Sequence, residues 1–145
     1  MKLSEENKMT LLVSLHQSIE MSANSTAQHI ENGRNNQLIN YPPNGGLTDD
    51  ELTEIEKLKN NPILKSALRK VIASSISDTL FELFNIIDGT SDPGTEVGDW
   101  SEVMLVDFEE ENEVDSMLHD DFFGTYWDWK EKRNNSNWKL DIIDE

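Results

Sequence analysis

The sequence predicts an α+β protein, mainly helical, with a small antiparallel sheet in its C-terminal part. Three observations lead there. Residues 1–88 carry long apolar periodicities of three and four with recognisable helix starts and stops. The segment WSEVMLVDF (100–108) combines β-branched and aromatic residues over a strand's length. The segment NWKLDIIDE (137–145) places Trp138, Leu140 and Ile142 on one face by alternation, as a second strand would. At 145 residues one domain is expected, with a helical half over 1–88 and an acidic α/β part over 89–145.

The first helix is expected over 9–30. Leu12, Leu15, Ile19, Ala23, Thr26 and Ile30 recur at steps of three or four, and Asn32-Gly33 supplies a stop. GRNNQLINYPPNGGL (33–47) is rich in Asn, Gly and Pro and reads as an irregular connection. Thr48, with Glu51 three residues on, forms a capping box. Leu47 and Leu52 occupy the positions of a hydrophobic staple, and Asp49 and Asp50 suit the positive end of the helix dipole.

Pro62 opens the central helix, where its missing N–H is harmless. Leu64, Leu68, Val71, Ile72, Ile76, Leu80, Leu83, Phe84 and Ile87 form a stripe wide enough to need neighbours on more than one side. Ser74, Ser75, Ser77, Asp78 and Thr79 compete for backbone groups and are candidates to recap or kink it. Asp88-Gly89 ends it. A further helix is expected over 116–133, with Leu118, Phe122, Tyr126 and Trp129 on one side and Gly124 weakening it.

Charge is distributed very unevenly. Residues 1–75 hold nine acids and eight bases; residues 76–145 hold twenty acids and four bases, which accounts for the net −17. Between Val71 and Trp129 there are sixteen Asp and Glu and no Lys or Arg. A single-sign field of this kind attracts cationic partners and disfavours nucleic acid and anionic membrane. The chain lacks cysteine, so it has no disulfide, thiolate metal site or Cys nucleophile. MKLSEENKMTLLVSLHQ lacks a signal peptide's apolar region and cleavage site, and no run reaches the length of a membrane span. A cytoplasmic protein is expected.

Catalytic and metal chemistry find little support. There is no GxSxG, no phosphate-cradling Gly-rich loop and no Ser with a recognisable base. Counting from Asp88, a calcium loop would place Thr90 and Asp92 at its third and fifth positions. Its central Gly is replaced by Pro93 and its final Glu by Asp99. His119, Asp120 and Asp121 are consecutive and do not converge on a helix, while His16 and His29 lie thirteen residues apart. No enzyme activity, cofactor or metal is expected.

The strongest combination lies further on. Phe122, Phe123, Tyr126, Trp127 and Trp129 fall within eight residues beside Asp120, Asp121 and Asp128. Closing a small core is the ordinary role of such a cluster. An exposed aromatic anchor ringed by carboxylates would instead suit docking on a basic protein: the acids steer and the aromatic grips. The expected partner-binding set is Asp107, Glu109, Glu110, Glu111, Glu113, Asp115, Asp120, Asp121, Phe123, Trp127 and Asp128.

In size, acidic second half, lack of cysteine, and FELFNIIDGTSDP leading into WSEVMLVDF, the chain resembles small bacterial immunity proteins that neutralise a toxin. The resemblance implies a non-enzymatic inhibitor of a basic toxin or nuclease, with contacts from 109–113, Asp115, Asp120, Asp121 and nearby aromatics. Three other readings stand beside it. One is a DNA mimic that blocks a nucleic-acid-handling enzyme. Another is a carboxylate-based metal-binding or enzymatic domain. The last is a scaffold whose charge only keeps it soluble.

Overall fold

A computed structural model describes residues 3–34, 39–43, 45–107 and 131. Three helices account for most of them: α1 (Glu5–Asn32), α2 (Asp49–Glu56) and α3 (Pro62–Ile87). The described residues fall into two compact units. One holds those within Met1–Ala27 and Ile63–Glu113; the other holds those within Gln28–Pro62, together with Glu131.

In the first unit α1 and α3 run antiparallel. Residues 12–19 of α1 line a groove with 77–84 of α3, while 20–24 line a second cleft with 69–73, so one number rises as the other falls. The apolar face expected on α1 is the buried one. Ile19 and Ala23 are buried, and Leu12, Leu15 and Thr26 are half-buried. Ala27 joins them with no exposed surface.

α1 begins four residues earlier than its apolar pattern. Ser4 caps it: its carbonyl accepts from the Lys8 N–H and its Oγ from the Asn7 N–H. Glu5 and Glu6 follow in the first turn, where the dipole favours them. Apolar periodicity marks only the part of a helix that packs, so the exposed first turn escaped it.

α3 runs unbroken for 26 residues from Pro62, about 39 Å. The Ser/Thr cluster, a candidate to recap or kink the helix, does not interrupt it. The Ser75 hydroxyl donates to the Val71 carbonyl and the Thr79 hydroxyl to the Ser75 carbonyl, so these groups bond back inside the helix. At its end Gly89, with φ near 69°, donates to Ile86, and Thr90 donates to Asn85. This Schellman arrangement needs the left-handed conformation that glycine adopts freely. The stripe on α3 is only partly covered: Val71 is 63% and Leu83 47% exposed.

In the second unit the connection 39–48 contains a cis Tyr41–Pro42 bond with Pro42 buried. α2 starts as expected. Thr48 Oγ1 accepts from the Glu51 N–H, and Glu51 Oε2 accepts from the Thr48 N–H at 2.8 Å. The end of α1 belongs here too. Gly33 donates to Ile30 and Arg34 to His29, a second Schellman stop. Asn60, also at positive φ, donates its N–H to the Glu31 carbonyl at 3.1 Å, and the Lys59 side chain lies across Gly33.

The expected α+β class is corrected. Among the described residues there is no strand, and the architecture is helical. Residues 100–107 form an irregular segment with a single bridge residue at Val106. Strand preference is realised only against a neighbour that takes up the ladder and covers the side chains. Here Trp100, Val103, Met104 and Val106 are all exposed, and Leu105 is the one apolar residue of 100–107 that is half-buried. The expected partner strand at 138–142 lies outside the described residues. So does the helix over 116–133, apart from Glu131, which is helical.

Candidate functional site

Of the expected partner-binding residues, Asp107 is within the described structure. Glu109, Glu110, Glu111, Glu113, Asp115, Asp120, Asp121, Phe123, Trp127 and Asp128 lie outside it. Asp107 is reached through the loop that follows α3. After the Gly89 stop, Thr90 Oγ1 donates to the Asn85 carbonyl, and the Val97 N–H donates to the Gly94 carbonyl to close a turn. The Glu96 carboxylate folds over Gly94, where a β-carbon would meet it at 2.4 Å. The chain then runs without regular structure to Val106.

Asp107 is half-buried and engaged within the fold. Its Oδ1 accepts from Asn7 Nδ2 at 2.8 Å and from the Ser4 N–H at 3.3 Å. The carboxylate thus sits at the N-terminus of α1, where unpaired N–H groups and the helix dipole favour an anion. The Asn7 amide foremost, and the Ser4 N–H with it, hold its carboxyl below the ordinary aspartate value. Sequence reasoning placed Asp107 in the set but missed Ser4 and Asn7. The Ser-Glu-Glu opening of α1 was the available signal, since a capping serine followed by acids marks a helix start.

Upstream of this anchor the acids face solvent. Asp78, Glu82, Asp88, Asp92, Glu96, Asp99 and Glu102 are all exposed. The ion pairs Lys8–Glu5, Lys57–Glu54 and Lys59–Glu56 all involve residues elsewhere. Among the described residues no group of three or more His, Asp or Glu is placed to hold a metal ion. His16 is exposed and His29 half-buried on α1, and His119 lies outside the described residues. No described helix is long and apolar enough to cross a membrane.

The first unit also carries two openings between its helices that the sequence did not announce. One, of about 550 Å³, is walled by Glu20 and Asn24 on α1 and by Arg69 and Lys70 on α3, with Ala23 and Ala73 at its floor. The other, of about 200 Å³, is an apolar groove. Comparison with known protein families, curated proteins and solved structures yields no match to this chain.

Proposed function

We propose that this chain is a non-enzymatic, acidic binding protein that neutralises a basic protein partner in the manner of an immunity protein. The observation that carries the reading is the stretch from Val71 to Trp129, with sixteen acids and no Lys or Arg. The exposure of seven of those acids between Asp78 and Glu102 supports it. Carboxylates facing water without a nearby base add to one field, which steers a cation inward and repels phosphate. The contacts are assigned to residues 107–128, where carboxylates and aromatics are densest in the sequence. The resemblance to toxin-neutralising immunity proteins supplies the partner class, a basic toxin or nuclease. A cytoplasmic location follows from the same reading and suits a chain without cysteine.

The test is binding and protection together. Co-expression with the product of the neighbouring gene should suppress that product's toxicity. The purified pair should associate more slowly as salt rises, because screening shortens the reach of the field. Replacing Glu109, Glu110, Glu111 and Glu113 by Gln should lower the association rate at low salt by roughly tenfold. Unchanged association would leave the charge as a solubility device. A DNA-handling enzyme as the captured partner would favour the DNA-mimic reading instead.

A further inference from the structure

The cleft between α1 and the first half of α3 is a charged site of its own. Glu20 and Asn24 line it from α1, and Arg69 and Lys70 line it from α3. All four are exposed. Ala23, fully buried, and Ala73 have side chains too short to fill the space between the helices, so it stays open. Its volume of about 550 Å³ is that of a small-molecule site.

The cations in this cleft lack counterions. Among the described residues Arg69 and Lys70 form no ion pair, although the chain holds 29 acids for 12 bases. Glu20 shares the cleft without pairing to either. Two cations against one carboxylate leave the lining positive. The acidic stretch begins beyond them. Asp78, the next acid on α3 after Lys70, lies about 12 Å further along the axis. That exceeds the ~8 Å over which exposed charges act on one another at physiological salt.

We infer that this cleft binds a small phosphate ester that also carries hydroxyl groups, of the size of a pentose phosphate. A guanidinium offers a fork of N–H donors and an ammonium a point charge, and together they suit a phosphate dianion. Phosphate alone would leave most of the opening empty. On the other wall the Glu20 carboxylate and the Asn24 amide, one turn apart on α1, offer acceptors to hydroxyl donors. A bare dianion is repelled by Glu20, so the site selects an anion with donors over an anion alone. The inference goes beyond the proposed function and uses none of the acids that carry it.

The probes are ribose 5-phosphate, ribose and inorganic phosphate, titrated into the full chain by calorimetry at about 0.15 M salt. Ribose 5-phosphate should bind about tenfold more tightly than either of the others. Arg69→Gln and Lys70→Gln should each weaken it about tenfold, the loss expected of one charge-assisted hydrogen bond. Glu20→Ala should narrow the preference for the ester over inorganic phosphate, because it takes an acceptor from the first and a repulsion from the second. All three variants change an exposed side chain, and circular dichroism checks that the helices persist. Absence of ribose 5-phosphate binding at about 1 mM would overturn the inference. So would binding that Arg69→Gln and Lys70→Gln leave unchanged, or an unaltered preference in Glu20→Ala. A wild-type dimer that Arg69→Gln dissociates would also overturn it and assign the two cations to the acids of a second copy. Gln at 109, 110, 111 and 113 should leave ribose 5-phosphate binding unchanged, so failure of the cleft is distinct from failure of the acidic stretch.

Discussion

Asn7 and Asp107, a hundred residues apart in sequence, are joined by a 2.8 Å hydrogen bond from Nδ2 to Oδ1. The same carboxylate oxygen accepts from the Ser4 N–H. One acid thus completes the cap of α1 and fixes the end of the irregular segment that follows α3. In sequence the densest acids begin two residues later, at Glu109.

Asp107 should make stability depend on pH in one direction. Its folded-state carboxyl is held below the ordinary value of 3.8, so the folded state binds its proton more weakly than the unfolded chain does. The stabilisation is therefore complete above that ordinary value and is lost as pH falls through the lower folded one. Asp107→Ala should be less stable than the parent in urea at pH 6, with the gap narrowing below pH 3.8. A gap of constant size across that range would show that the carboxylate charge is not what anchors the segment.

The two Schellman glycines should respond differently to the same change. Gly33 and Gly89 both have φ near 69°, so alanine at either costs about 1–2 kcal/mol in the left-handed region. A β-carbon at Gly89 meets nothing within 4 Å, while one at Gly33 falls 1.8 Å from Lys59 Cε. Gly33→Ala should therefore also displace Lys59 from its pairing with Glu56, an added loss below about 1 kcal/mol. Urea denaturation of Gly33→Ala, Lys59→Ala and the double variant would reveal this as non-additivity. Gly89→Ala with Lys59→Ala should be additive.

Size and importance should be inverted along the helix pair. Ala27 has no exposed surface, and Ala27→Leu should destabilise by about 1–3 kcal/mol through overpacking. Phe81, large but 64% exposed, should tolerate alanine within about 0.5 kcal/mol. Thermal unfolding followed at 222 nm distinguishes the two. Equal losses would mean that Phe81 packs more closely than its exposure indicates.

Local chemistry was legible wherever the cause was local. The Thr48–Glu51 box, Pro62 at the start of α3, and the stops at Gly33 and Gly89 are each specified by a few adjacent residues, and each forms as read. The buried face of α1 was legible because helical period converts spacing into a surface. Ala27 was passed over because alanine carries little apolar signal, although its small size is what permits complete burial. What failed depended on residues distant in sequence. The 100–108 segment has strand composition, but strand formation requires a neighbour that composition cannot supply. Asp107 reads as one acid of the partner-binding set until Asn7 and Ser4 are brought to it. The width of the α3 stripe was visible; that α1 covers only part of it was not.

The Ser4–Asp107 contact has a practical corollary for handling the protein. Any chain joined ahead of Ser4 emerges beside the carboxylate that Ser4 touches. A polylysine leader would there be a tethered cation, presented at millimolar effective concentration to Asp107. It would act as an intramolecular competitor for the partner under study. Affinity handles should be cleaved from that end, or replaced by a neutral one, before any salt-dependent association is measured.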